Sequence, residues 1–153
     1  MKEYKKIWLS SPHMGGKERI LVEETFDMNW IAPVGPHIVR FEENLSNISE
    51  NFNVAALSSG TSAIHLALIL AGVKQGDNVI CSSFTFSASA NPIKYLGANP
   101  IFVDSEPESW NMCPDLLHKA ITEAVLSNKK PKAIILVHLY GMPAKINTVL
   151  EIA

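Results

Sequence analysis

Ser58-Ser59-Gly60-Thr61-Ser62 stands between an apolar run, Val54 to Leu57, and a longer one, Ile64 to Ala71. The first run reads as a buried strand; the second is too long for an ordinary strand and reads as a buried helix. A chain turning from strand to helix through small hydroxyl residues and a glycine brings free backbone N–H groups and hydroxyls to one point. The positive end of the helix dipole falls there too. The chemistry this suits is anion binding, phosphate above all. A strand-to-helix connection also asks for a glycine and a hydroxyl cap in its own right, so the turn alone reads equally as a plain helix cap.

Three further segments carry residue types that could do chemistry: Ser82-Ser83-Phe84-Thr85-Phe86, Asp104-Ser105-Glu106 and His138-Leu139-Tyr140-Gly141. Each follows an apolar, β-branched run. A phenyl ring offers a face for stacking, while small hydroxyls and backbone amides suit a phosphate. One site holding a flat, phosphorylated cofactor would use most of this collection. Asp104, before Ser and ahead of a proline, is the type of residue that serves its own turn, and His138 with Tyr140 fits a strand-to-loop corner. His13, His37, His65 and His118 show no metal-ligand spacing, and no metal is assigned.

The elements that must position these segments alternate from Asn53 onward. Strands are expected at Val54–Ser58, Asn78–Ser82, Pro100–Asp104 and Lys132–His138. Helices are expected at Thr61–Ala71, at Ser87–Leu96 with an early interruption at Pro92, at Asp115–Leu126 behind Pro114, and from about Lys145. Short, continuously apolar strands read as covered on both faces. Helix-length spacers between them call for right-handed crossovers and a mostly parallel sheet. In such sheets ligands gather at the carboxyl ends of the strands, where all four candidate segments fall. Residues 1–50 read instead as an arm of loops and two helices, with residues 51–153 as the α/β region. Ile20, Leu21, Glu24 and Phe26 follow helical spacing, Ile31 to Pro36 breaks the helix, and Ile38, Phe41, Leu45 and Ile48 form one apolar stripe.

Composition narrows the function classes. With 153 residues, 47% hydrophobic and 18% charged, the chain is long enough to bury a core. A formal net charge of -2, with scattered lysines, gives no electrostatic footprint for nucleic acid. Ile64–Val73, the longest apolar stretch, is too short to span a bilayer, and Met1–Lys6 leads into no signal-peptide core. Cys81 and Cys113 lie far apart with no metal or redox spacing, so a reducing cytoplasm is the simplest compartment. The chain stops inside its last helical signal, Glu151-Ile152-Ala153, and is expected to be cut short.

Taken in order, Ser58 to Leu68, Gly76-Asp77-Asn78-Val79-Ile80, Ser83 to Ala88, Ala98 to Asp104 and Val137-His138-Leu139-Tyr140-Gly141 resemble the DegT/DnrJ/StrS family of pyridoxal-phosphate-dependent nucleotide-sugar aminotransferases. Pro12-His13-Met14-Gly15-Gly16 and Asn29 to Pro36 extend the resemblance into the arm, toward the branch that aminates nucleotide-linked 4-keto sugars for surface glycans. It runs from about Leu9 to Ala153 and covers only the amino-terminal portion of such an enzyme. It implies the large domain of a fold-type I transferase, pyridoxal 5'-phosphate as cofactor, a nucleotide sugar and an amino-acid donor such as glutamate as substrates, and a homodimer.

By the same resemblance, Gly60, Thr61 and Ser62 hold the cofactor phosphate, Phe86 stacks on its ring, and Trp30, Ile31 and Ala32 form a loop near the sugar. The plain alternatives are a core role for Phe86 and a staple between the arm helices for Trp30. No catalytic residue is assigned. The family's Schiff-base lysine, and the carboxylate that partners the ring nitrogen, would lie beyond Ala153, and none of the lysines from Lys74 to Lys145 occupies a matching position. The 153-residue chain by itself is therefore expected to be inactive. A non-catalytic phosphate- or cofactor-binding α/β module is the competing reading. A dinucleotide site is weaker, since Ser59-Gly60-Thr61 offers one glycine where that fingerprint wants three.

Overall fold

Asn78–Ser82 (β1) is the strand on which the larger part of the chain is built, because its side chains are apolar on both sides of the pleat. Val79 and Cys81 enter one cluster with Leu68, Val73, Ile93 and Ala98, whereas Ile80 enters another with Val103, Met112, Leu117 and Val149. Successive strand residues point to opposite faces, so a strand apolar at three successive positions, Val79 to Cys81, has to be covered twice. The computed structural model describes residues 5–8, 10–50 and 52–153, and it divides into two compact units, residues up to Ala56 and residues Leu57–Ala153. Leu9 and Asn51, which fall in the expected extended arm and at the expected arm boundary, lie outside the described residues, as does most of the polar amino terminus.

In the second unit β1 is flanked by Asn99–Val103 (β2) and Ala133–Ile135 (β3), all parallel, in the order β2-β1-β3. The register sets Ile80 beside Ile101 and Ile134. The strands are joined through helices, as parallel pairing requires. Gly60–Leu70 precedes the sheet, Asn91–Tyr95 joins β1 to β2, Pro114–Leu126 joins β2 to β3, and Ile146–Ile152 follows. With the two arm helices, Glu18–Asp27 (α1) and Pro36–Ile48 (α2), these are α3 to α6 in chain order. α3 packs on α4, and α5 on α6. Pro92 splits the expected 87–96 helix into a 3-10 turn at Ser87–Ser89 and the short α4. Gly72, at φ 75°, ends α3 in the left-handed conformation that glycine adopts without cost.

Three expectations need correction. Val54–Ser58 forms no strand: a strand exists only through its ladder, and no described residue pairs with this segment. The expected Lys132–His138 strand shrinks to Ala133–Ile135, which pair with Val79–Cys81, while Leu136–His138 find no ladder partner among the described residues. Coverage on both faces holds for β1 but fails at the edge, where Phe102 of β2 is 56% exposed.

The first unit contains the two expected helices, but neither α1 nor α2 buries a residue. Phe41 and Ile48 of the apolar stripe remain exposed. Glu24 of α1 meets Arg40 of α2 at 3.6 Å. Between the helices, the Trp30 indole N–H donates to the Val34 carbonyl at 3.1 Å. The ring lies so close over Gly35 that a methyl group there would overlap the indole nitrogen. Trp30 thus closes its own loop.

Candidate functional site

The turn before α3 is built as an open helix N-terminus. Ser59 is the N-cap in extended conformation, and its hydroxyl accepts the Ser62 N–H at 3.1 Å. Its carbonyl accepts the Ala63 N–H at 3.0 Å. Among the described residues nothing accepts the N–H of Gly60 or of Thr61. The Ser62 hydroxyl lies 3.0 Å from that of Ser59 and 3.3 Å from that of Ser58. Gly60 is exposed, and the space a Cβ would take there is empty to 4 Å. Two unspent amide donors, the Thr61 hydroxyl and the positive end of an 11-residue helix form a donor set that fits a phosphate dianion.

Phe86 is the residue entering the 3-10 turn against which α3 packs. It is 80% exposed, so it is not the core aromatic its type alone allows. Thr85, beside it, is fixed by a 2.8 Å contact between its hydroxyl and that of Ser89. The structure therefore brings Gly60, Thr61 and Ser62 onto one element and Phe86 onto its neighbour, with the ring free. Trp30, Ile31 and Ala32 lie in the other unit; Trp30 is engaged in its own loop and Ile31 is exposed.

The other two segments form a polar knot at the carboxyl ends of β2 and β3. Asp104 accepts from the Ser105 N–H at 2.8 Å and the Ser83 hydroxyl at 3.0 Å, contacts that hold its carboxyl below the usual range and tie it to its own turn. Glu106 is only 5% exposed. The Ser109 hydroxyl and the Glu108 and Ser109 N–H groups donate to it, and Lys145 stands 3.7 Å away. Together these bring its carboxyl down to about 2, the Ser109 hydroxyl contributing most. Asn111, 2% exposed, reaches across to the next loop: its side-chain oxygen accepts the Leu139 N–H at 2.8 Å and its amide donates to the Met142 carbonyl at 2.9 Å. His138 holds the same corner by accepting the Ala144 N–H at 2.9 Å. Sequence reasoning placed Glu106 in a candidate segment without giving it a role and missed Asn111 as an anchor; the stretch Glu106 to Asn111 reads only as a turn.

A depressed carboxylate stabilises the fold above its unfolded value of about 4.5, and that contribution is lost as pH falls toward about 2. The stability gap between the native chain and Glu106→Gln, measured by urea denaturation, is expected to narrow across that window. A gap that stays constant there would show that the Glu106 charge does not contribute. Cys81 has no comparable role: it is a free thiol, and burial pushes it up to about 11, so it is no nucleophile at neutral pH. No helix among the described residues is long and apolar enough to cross a membrane.

Comparison with known proteins places this geometry. The chain belongs to the DegT/DnrJ/EryC1/StrS aminotransferase family, whose model matches residues 12–153. EpsN of Bacillus subtilis, whose name assigns it to the pyridoxal phosphate-dependent aminotransferases, is 51% identical over 149 residues, which are 97% of this chain and 38% of that protein. GDP-perosamine synthase of Escherichia coli O157:H7 is 40% identical over 149 residues, 97% of this chain and 39% of that protein. The crystal structure of a family aminotransferase from Brucella abortus superposes with a TM-score of 0.77 at 33% identity, covering 92% of this chain and 41% of that one. The fold is thus the parallel α/β arrangement of these sugar aminotransferases. The chain spans under two-fifths of the length of the two relatives it matches.

Proposed function

We propose that this chain carries the cofactor-phosphate grip and ring-stacking face of a pyridoxal-phosphate-dependent aminotransferase that moves an amino group from an amino acid, glutamate being the expected donor, to a keto carbon of a nucleotide-linked sugar. The observation that carries it is the open N-terminus of α3, with two unspent N–H groups and the Thr61 hydroxyl, together with the exposed ring of Phe86 at the start of the 3-10 turn that packs on α3. The names of EpsN and GDP-perosamine synthase support the cofactor and the substrate class.

In this reading Gly60 and Thr61 N–H groups and the Thr61 hydroxyl bind the phosphate, Ser59 and Ser62 keep the helix start in place, and Phe86 lies flat against the ring. Bound there, the cofactor supplies an electron sink for proton movement between carbon atoms. What the chain's residues do is grip and orient: glycine at position 60 lets an anion approach the backbone closely, and the exposed phenyl face sets the ring plane. Trp30, Ile31 and Ala32 form the loop near the sugar. The protein acts as a homodimer in a reducing cytoplasm, a reading supported by exposed apolar side chains such as Leu70, Phe102 and Leu126 and by two free cysteines.

The test is pyridoxal phosphate binding to the native chain and to Thr61→Val. One lost hydrogen bond predicts weakening by about 1 kcal/mol, roughly fivefold in affinity. Equal binding by the two proteins would remove the α3 turn from the site.

A further inference from the structure

The loops that follow β1, β2 and β3 border an open cleft, with a volume of ≈ 510 Å³, walled by Phe84, Trp110, Leu139, Tyr140, Met142 and Pro143. Phe84 and Trp110 meet edge to face, centroids 5.9 Å apart at 67°. That contact leaves Trp110 60% exposed, and Tyr140 is 75% exposed. Both residues also sit in the left-handed region, at φ 62° and 50°, where bulky side chains are rarely found.

Such a conformation persists only when the surroundings over-determine it. Here they do. The Trp110 N–H donates to the Glu106 carbonyl at 3.1 Å, and the Glu106 N–H donates to the Asn111 carbonyl at 2.9 Å. Asn111 then bonds the Leu139 and Met142 backbone on either side of Tyr140. One buried knot therefore holds two aromatic side chains, from different loops, in uncommon backbone states beside a single opening. A ring held at this cost of conformation and left open to water is set for a flat partner.

Three features select that partner. The wall is apolar apart from Ser109, the Tyr140 hydroxyl and backbone, and the Ser109 hydroxyl is already engaged by Glu106 and the Asn111 amide. A hexose, hydroxylated all round, would find too few polar partners. The charges in and beside the knot are three carboxylates, Asp104, Glu106 and Glu108, against the one ammonium of Lys145, so a phosphate is disfavoured here. A neutral planar heterocycle escapes the charge objection and needs polar partners only along its edge, since every base offers a π-face. We propose that this cleft takes the nucleobase of the nucleotide-linked substrate, stacked on Trp110 and Tyr140; this rests on the substrate class proposed above.

The chain has three tryptophans, so three indole N–H signals report in a 15N-resolved NMR spectrum, and Trp110→Phe identifies the one needed. Titration with guanosine monophosphate is expected to move the Trp110 signal saturably, while ribose 5-phosphate leaves it in place. Tyr140→Ala, a second variant at an exposed position, is expected to weaken the response at least fivefold. A Trp110 signal that ignores the nucleotide, that follows ribose 5-phosphate equally, or that responds unchanged in Tyr140→Ala overturns the proposal. Pyridoxal phosphate binding by native and Thr61→Val proteins, measured in parallel, separates the two readings. Cofactor binding that depends on Thr61 without a Trp110 response sinks the base site alone; a Trp110 response without Thr61-dependent cofactor binding sinks the cofactor site alone.

Discussion

Asn111→Ala is expected to destabilise the protein by roughly 2–3 kcal/mol in chemical denaturation, although position 111 lies in a loop. The side chain is 2% exposed and forms three contacts: to the Leu139 N–H, the Met142 carbonyl and the Ser109 hydroxyl. Alanine removes all three and leaves a half-buried Leu139 N–H without an acceptor, and a stranded buried donor costs about 1–3 kcal/mol by itself. The vacated volume adds a smaller cost. Asn111→Asp keeps an oxygen to accept from Leu139, but its buried carboxylate then faces the Met142 carbonyl, so it is expected to be at least as destabilised as the alanine protein. A loss below about 0.5 kcal/mol for Asn111→Ala, the range of an ordinary surface change, would show that the knot does not hold the 139–143 loop.

That knot marks the limit of what the chain reveals in one dimension. Periodicity locates α5 and β1 to within about a residue, because apolar spacing records burial against a neighbour and Pro114 opens its helix. It misplaces Val54–Ser58, where an apolar run meets the composition of a strand but has no ladder partner among the described residues. Pairing is a property of two segments, and no single segment states it. The hydroxyl-capped turn before α3 was legible because its hydrogen-bonding groups are local, all within Ser58 to Ser62. Asn111 was not, since its partners at Leu139 and Met142 are 28 and 31 residues away. The left-handed backbone at Trp110 and Tyr140 was invisible for a related reason: neither residue prefers that conformation, and only tertiary contacts impose it.

Borohydride reduction of the 153-residue chain with pyridoxal phosphate is expected to fix the cofactor on no single preferred lysine, and the chain to transfer no amino group to a sugar. A lysine serving that chemistry must reach the carboxyl ends of the strands with its amine unprotonated, which enzymes arrange by lowering its pKa. Lys74 precedes β1, and Lys129, Lys130 and Lys132 precede β3, so these four stand at the amino ends of the strands. Lys94 donates to the Ala98 carbonyl within its own turn, and Lys119 pairs with Glu123 along α5. Within the Leu57–Ala153 unit Lys145 alone lies on the carboxyl side. Its amine is 2.9 Å from Glu108 and 3.7 Å from Glu106, contacts that raise its pKa above the ordinary value and keep it a cation, the opposite of what a nucleophile needs. Mass spectrometry of the reduced, digested protein decides the matter. Adduct spread thinly over exposed lysines agrees with a chain that grips phosphate and ring without a covalent partner of its own. A dominant adduct on one lysine, Lys145 above all, or measurable turnover, would mean that the Glu106–Lys145 pair opens and that the reactive amine lies within this chain.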